Sequence, residues 1–337
     1  MLIEEIDPAD EGAFGAWYAV ADACQQFDWP GEPGWQIGEK RASWSGFDGS
    51  LETIGLLARD DTGAAIGGAA IRLPQQENLQ LAKVSVGVHP AHRRKGAGTA
   101  LLAEAECRAA AAGRDLIDVH QDEPAWRADD RGGTAFALRH GYSCALVNDR
   151  RDLELPADAE RLAALETAAL SLAGGYSLVR VQDRYPDRYR PHRVALAQTM
   201  SVSVPLGDME RDEEVWDDER LSRFEETVAA QNRTLLSTCA IEEATGTMVA
   251  FTEMAVPLGV PEIAYQFDTL VVAEHRGHRL GTLTKIANLR ELEKTSPATS
   301  RVTTWNAQDN APMVAINEAL GYRLRGQVRV WQRHLRG

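Results

Sequence analysis

Cysteine is scarce in this chain, and long apolar runs are missing from it. The four cysteines, Cys24, Cys107, Cys144 and Cys239, form no CxxC pair in 337 residues. Free, mostly buried thiols in a reducing, cytoplasmic setting account for them better than a disulfide framework. No stretch approaches the roughly 18 to 20 apolar residues that a membrane span requires, so no membrane association is expected. The acidic opening MLIEEIDPADEGAF lacks the basic and apolar regions of a secretory signal. Positive charge is in short supply too. Lys and Arg number 36 against 50 Asp and Glu, a net charge of −14, which argues against a nucleic-acid partner that would need a basic stripe. His89, His92, His120 and His140 lack metal-ligand spacing, and no Ser-His-Asp or Cys-His arrangement stands out. Neither a metal nor a covalent nucleophile is therefore expected.

What the sequence does contain is a well-cored composition, 44% hydrophobic and 26% charged, with length for two domains of about 150 residues. It also contains an internal repeat. Thr62-Gly63 in DDTGAAIGGAAIRLP matches Thr245-Gly246 in EEATGTMVAFTEMAVP at an offset of 183 (245 − 62), and Pro74 matches Pro257 at the same offset. The register continues through His92-Arg93 and His275-Arg276 to Gly98 and Gly281, then shifts to 180 (321 − 141) at Gly141-Tyr142 and Gly321-Tyr322. So long a period signifies a duplicated domain rather than a solenoid. The expected boundaries are 1–155 and 176–337, with a linker at 156–175 in which a short helix ends near Gly174-Gly175.

Each copy reads as α+β, a mixed, mostly antiparallel sheet flanked by helices. GLLAR and AIGGAAIRL flank the turn DDTG as a hairpin. Val84, Val86 and Val88 alternate as in a half-buried strand, with Phe267, Thr269 and Val271 equivalent in the second copy. A helical stretch follows each strand, carrying Leu101, Leu102, Ala105 and Ala109 on one face in the first copy and Leu283, Ile286 and Leu289 in the second. Between strand and helix, the first copy has His89-Pro-Ala-His-Arg93-Arg94-Lys95-Gly96-Ala97-Gly98. A helix N-terminus with glycines and basic residues suits a pyrophosphate, through unpaired amides and the helix dipole. A solvated basic turn reads the same residues equally well.

Arg93-x-x-Gly96-x-Gly98, after an alternating strand and before a helix, resembles the acyl-CoA loop of the GNAT N-acetyltransferase superfamily, and the duplicated layout resembles its tandem members. The resemblance implies two tandem GNAT-like domains that use acetyl-CoA as co-substrate. In the first copy it implies contacts from Val86 and Val88 on the strand and Arg93, Arg94, Lys95, Gly96, Ala97, Gly98 and Thr99 in the loop. In the second they come from Leu270, Val272, Arg276, Gly277, His278, Arg279, Gly281 and Thr282. Arg279 stands where the first glycine belongs, with Gly277 nearby to restore flexibility. TWNAQDNAPMVAINEALGY resembles the C-terminal motif, with Asn310 as its CoA-contacting asparagine and Asn306 as a turn or cap residue. The tyrosine that often serves as acid is replaced by Ala137 and Asn317, and Tyr142 and Tyr322 read as packing residues.

The reaction implied is direct attack of a primary amine, on a small molecule or peptide, upon the thioester. Glu253 is the leading base and Asp268 the second, because acidic residues in strands that border the acyl end suggest placement for proton transfer; a solvated carboxylate or a structural ion pair is the alternative. The protein is expected to act as a monomer or homodimer. Two other readings stay open: transfer of a longer acyl or aminoacyl group, and a decayed acyl-CoA-binding regulator. Trp17, Tyr18, Trp29 and Trp35 are expected mostly in the core, and the acidic run after Gly207 as a solvated helix start.

Overall fold

The computed structural model describes residues 1–44, 50–127 and 129–335. In chain order its elements are β1 (Leu2–Ile6), α1 (Glu11–Asp28), α2 (Ile37–Trp44), β2 (Leu51–Arg59), β3 (Ala65–Pro74), β4 (Leu81–Val88), α3 (Ala97–Ala111), β5 (Leu116–Pro124), α4 (Gly132–Arg139) and β6 (Ser143–Glu154). There follow α5 (Ala159–Leu170), β7 (Tyr176–Gln182), α6 (Arg190–Ser203), α7 (Asp218–Ala230), β8 (Arg233–Glu242), β9 (Met248–Pro257), β10 (Ile263–Val271), α8 (Leu280–Thr295), β11 (Arg301–Ala307), α9 (Ala311–Leu320) and β12 (Arg323–His334).

Two compact units divide these elements. The first takes Met1–Val147, Leu206–Asp212 and the described residues from Gly326; the second takes Asn148–Pro205 and Glu213–Arg325. These are not the contiguous halves 1–155 and 176–337 suggested by the repeat, and 156–175 is not a free linker, because it holds α5 of the second unit. The reason is strand pairing. The last strand of the chain, β12, runs antiparallel to β5 from Gly326↔Pro124 to His334↔Leu116, in the first unit. The later part of β6 runs antiparallel to β11 from Asn148↔Ala307 to Glu154↔Arg301, in the second. Duplication is legible in the sequence; which copy a final strand joins is not.

Within the first unit the strands run β1-β2-β3-β4-β5-β12. All neighbours are antiparallel except β4 and β5. The β2–β3 turn is built as its residues dictate, with Asp60 accepting from the amides of Thr62 and Ala64 and Gly63 at φ 86°. Alternation sorts the strands. Ile71, Val84 and Ile117 face α3 and pack with Leu101, Leu102, Ala105 and Ala109, while α1, capped by Asp10, lays Phe14 and Trp17 on the opposite face.

The second unit repeats this plan as β11-β10-β9-β8-β7, with β10 and β11 its parallel pair. Here α8 supplies Ile286, Leu289 and Leu292 to the core. Trp17 and Trp29 are buried, as are Tyr142 and Tyr322. The thiols are less uniformly covered than the composition suggested: only Cys239 is buried, and Cys107 is exposed.

Candidate functional site

Each unit has a fork in its sheet. In the first, β4 pairs with β5 only from Leu81↔Leu116 to Val84↔Val119, although β4 continues to Val88 and β5 to Pro124. In the second, β10 and β11 pair only from Ile263↔Arg301 to Tyr265↔Thr303. Where parallel strands part, backbone groups on the inner edges lose their partners and become available to a ligand.

A cavity of about 920 Å³ fills the fork of the first unit, running from α1 past Val86 and Val88 to Gly96, Gly98 and Thr99. Gly96, the N-cap of α3, offers no side-chain cap to the first-turn amides, and Arg94, Lys95, Gly96 and Thr99 are exposed. Uncapped amides at a helix start, two nearby cations and an adjoining cavity fit a diphosphate with a long arm. Arg93 does something else. Its Nε donates to the Val88 carbonyl at 3.1 Å and its guanidinium lies 4.5 Å from the Phe27 ring, so it holds the loop against strand and helix. The Cys24 thiol shares that carbonyl, at 3.3 Å.

The loop of the second unit has the same backbone and a different environment. Arg94 and Gly96 are left-handed at φ 65° and 92°; their counterparts at the 183-residue offset, Gly277 and Arg279, are left-handed at 91° and 56°. The glycine and the arginine have exchanged places on one conformation. Arg276, like Arg93, donates its Nε to a strand carbonyl, that of Val271, at 3.3 Å. The helix start behind this loop is covered, however. Leu280, Gly281 and Thr282 are buried, and Ala169 and Ala173 pack against Leu280 and Leu283. Tyr176 Oη lies 2.8 Å from His275 Nδ1, and His278 Nδ1 lies 2.9 Å from the Leu172 carbonyl. Leu270 is buried in the core and Val272 packs beside it. Asn310 serves as the N-cap of α9, accepting from the Met313 amide, whereas Asn306 lies in β11 and accepts from Asn317.

The two carboxylates singled out in the second unit differ sharply. Glu253 is buried at 1% exposure and fully engaged: Tyr185 Oη and Arg193 Nε donate to its Oε1 at 2.8 and 3.0 Å, and Arg193 Nη2 to its Oε2 at 2.9 Å. Arg193 is equally buried, its guanidinium 4.2 Å from the Phe251 ring centre. This is an ion pair within the fold, and it speaks against proton transfer at Glu253. Asp268 lies in the irregular stretch of β10 between Gln266 and Thr269 and reaches solvent. Surrounding protein and the neighbouring Glu253 nevertheless push its carboxyl up to about 6, with Arg193 pulling the other way.

The first unit has its own polar residues at the fork, which pattern reading passed over. His120 lines the cavity two residues beyond Asp118 on β5. His120 is exposed to the cavity, yet the protein packed around it and the cations Arg211, Lys83 and Arg72 lower its pKa to about 4. The alternation in LIDVH carried the signal, since Ile117 and Val119 turn to the core and leave Asp118 and His120 on the other face. The Tyr142 hydroxyl donates to Glu106 and is not free to serve the fork.

Forked sheets with a loop and helix at the fork give both units a GNAT-like fold, and the first unit carries an acetyltransferase (GNAT) domain. The acetyltransferase (GNAT) family model matches residues 15–128. Over its whole length the chain is similar to a tandem GNAT protein from the clavulanic acid biosynthesis pathway, solved without acetyl-CoA, at 27% identity and a TM-score of 0.81, covering 99% of that protein. A GCN5-related N-acetyltransferase from Sphaerobacter thermophilus shares the fold at 15% identity and a TM-score of 0.67, with 100% of this chain and 96% of that one covered. No curated protein sequence matches the chain.

Proposed function

We propose that the protein is an acetyl-CoA-dependent N-acetyltransferase acting on a primary amine, with acetyl-CoA held in the first unit. The observation that carries this reading is that Gly96 and Thr99 are exposed where α3 starts against a fork cavity of about 920 Å³, whereas Gly281 and Thr282 at the equivalent start of α8 are buried.

In this reading the amides of Ala97, Gly98 and Thr99, with Arg94 and Lys95, hold the pyrophosphate, and the free edge of β4 at Val86 and Val88 holds the pantetheine arm. Bound acetyl-CoA supplies the activated acetyl group. A β4 amide at the fork polarises the thioester carbonyl. His120, neutral at physiological pH because its pKa sits near 4, takes the amine proton through water once N–C bond formation has made that proton acidic. Among the described residues no free tyrosine hydroxyl lines the cavity to serve the leaving thiolate, Tyr142 being bound to Glu106. A thiol of pKa about 8.5 leaves without one.

Calorimetric titration with acetyl-CoA tests the proposal. Gly98 has Val88 and Phe136 side-chain atoms 3.5 to 3.7 Å from where its Cβ would stand, so Gly98→Trp blocks the fork. Wild type should bind one equivalent, and Gly98→Trp should weaken binding at least about a hundredfold, 2.7 kcal/mol. Binding that survives Gly98→Trp and is lost in Arg279→Glu would move the site to the second unit.

The accessible, raised carboxyl of Asp268 favours a second reading, in which the fork of the second unit receives an amine. Asp268→Asn would then cut turnover while leaving acetyl-CoA affinity unchanged, and an unaltered rate would dismiss it.

A further inference from the structure

The face of the first sheet turned away from α3 carries a row of charge that acyl-CoA binding leaves unused. Arg72 pairs across the strands with Lys83, Lys83 with Asp118, and Asp118 with Gln332. Since Ile71, Val84 and Ile117 point into the α3 core, these four side chains must share the opposite face. Arg211 joins them, its Nη2 3.6 Å from Asp118 Oδ2. The row sits one pair before the strands part, and Ser85 and His120, two residues further along β4 and β5 on the same face, line the cavity.

The charges do not balance. Arg72, Lys83 and Arg211 are three cations; Asp118 is fully buried, and Gln332 Nε2 donates to its Oδ1 at 2.7 Å. Asp122, the next residue on that face of β5, is exposed at the cavity. Among these named side chains the cations outnumber the carboxylates, three to two. Arg72 is the clearest case: among the described residues its side chain has no hydrogen bond or ion pair, and burial pulls its pKa down. Keeping a largely buried guanidinium unpaired is costly, and an anion arriving from the cavity relieves that cost. Planar donors on Arg72 and Arg211, with an ammonium between, match a carboxylate.

We propose that Arg72, Lys83 and Arg211 form a carboxylate-binding locus at the inner end of the first unit's cavity. The carboxylate belongs either to the far end of the transferred acyl group or to the amine acceptor. The inference rests on the acyl-CoA reading of this cavity and adds the substrate class to it.

Titrations of the full chain separate the two sources. Succinyl-CoA is compared with acetyl-CoA. On CoA-saturated protein, N-acetylglycine is compared with N-acetylglycinamide. At least one carboxylate probe should bind about tenfold or more tightly than its neutral counterpart, and Arg72→Gln and Lys83→Gln should each erase that preference while keeping acetyl-CoA affinity. A preference for succinyl-CoA assigns the acyl group, and one for N-acetylglycine assigns the acceptor. If Arg72→Gln does not fold, Lys83→Gln decides. Equal binding of charged and neutral probes, or a preference that survives the substitutions, overturns the locus while leaving the acyl-CoA reading in place. Failure of wild type to bind either thioester overturns that reading and the locus with it.

Discussion

The two forks of this protein share one backbone plan and have spent their polar residues differently. In the first unit the helix start is open, the fork holds a cavity, and Ala70 occupies the β3 position that corresponds to Glu253. In the second, residues 169–176 cover the helix start, and Glu253, Arg193 and Tyr185 lock β9 to α6 and the preceding loop. One copy keeps the room for a ligand; the other has turned comparable positions into structure. Duplication allows this under the proposed reading, because one site in the first unit would relieve the second copy of the need to stay open.

The sharpest way to break the comparison is at Glu253. If its carboxylate is a structural partner, Glu253→Gln leaves Arg193 as a buried cation without its counter-charge. That loss should cost about 3 to 5 kcal/mol in the unfolding transition of the second unit. Acetyl-CoA affinity should not move. Urea denaturation followed alongside calorimetry checks both, and a stability change under about 1 kcal/mol with a collapse in turnover would restore Glu253 as a base.

A smaller effect distinguishes the titrating groups of the two forks. A carboxyl raised to about 6 binds protons more tightly folded than unfolded, so Asp268 costs nothing below the ordinary carboxylate range and penalises folding increasingly as pH rises through 6. His120 has the opposite sense. Lowered to about 4, it is neutral when folded while the unfolded chain still takes up a proton near 6.5, so its contribution to stability is lost as pH falls from 6.5 towards 4. Asp268→Asn should therefore raise the melting temperature at pH 7.5 and leave it unchanged at pH 4. His120→Gln should flatten the loss of stability between pH 6.5 and 4. A melting temperature indifferent to pH in both comparisons would refute these assignments.

Much of this was legible in the sequence because local signals fixed it. The 183-residue offset marked the duplication, alternation through Val84 and Val88 marked β4, and Arg93-x-x-Gly96-x-Gly98 marked the loop. What escaped depends on contacts distant in the chain. Nothing local says that Gly326–His334 will pair with β5, or that Arg193 will meet Glu253 across 60 positions. Arg72, Lys83 and Arg211 likewise become one cluster only when β3, β4 and the segment Leu206–Asp212 fold into one unit. Asn310 has a second, local role: its motif context suggested a ligand contact, and its place before Ala311 also makes it a helix cap.

The smallest expected effect bears on why the second loop departs from the family pattern. Arg279 occupies a left-handed backbone, which disfavours any side chain carrying a Cβ by roughly 1 kcal/mol relative to glycine. Arg279→Gly removes that strain and rebuilds the glycine pattern, against a loss of chain entropy of similar size, so stability should change by no more than about 1 kcal/mol. If sequence alone closed this loop to acetyl-CoA, the substitution would add a second equivalent to the titration. The covering segment predicts otherwise: Ala169, Ala173 and the Leu172–His278 contact stay in place, the amides of Gly281 and Thr282 stay buried, and the stoichiometry should remain one. A second equivalent in Arg279→Gly would show that the glycine, rather than the cover, separates the working fork from the silent one.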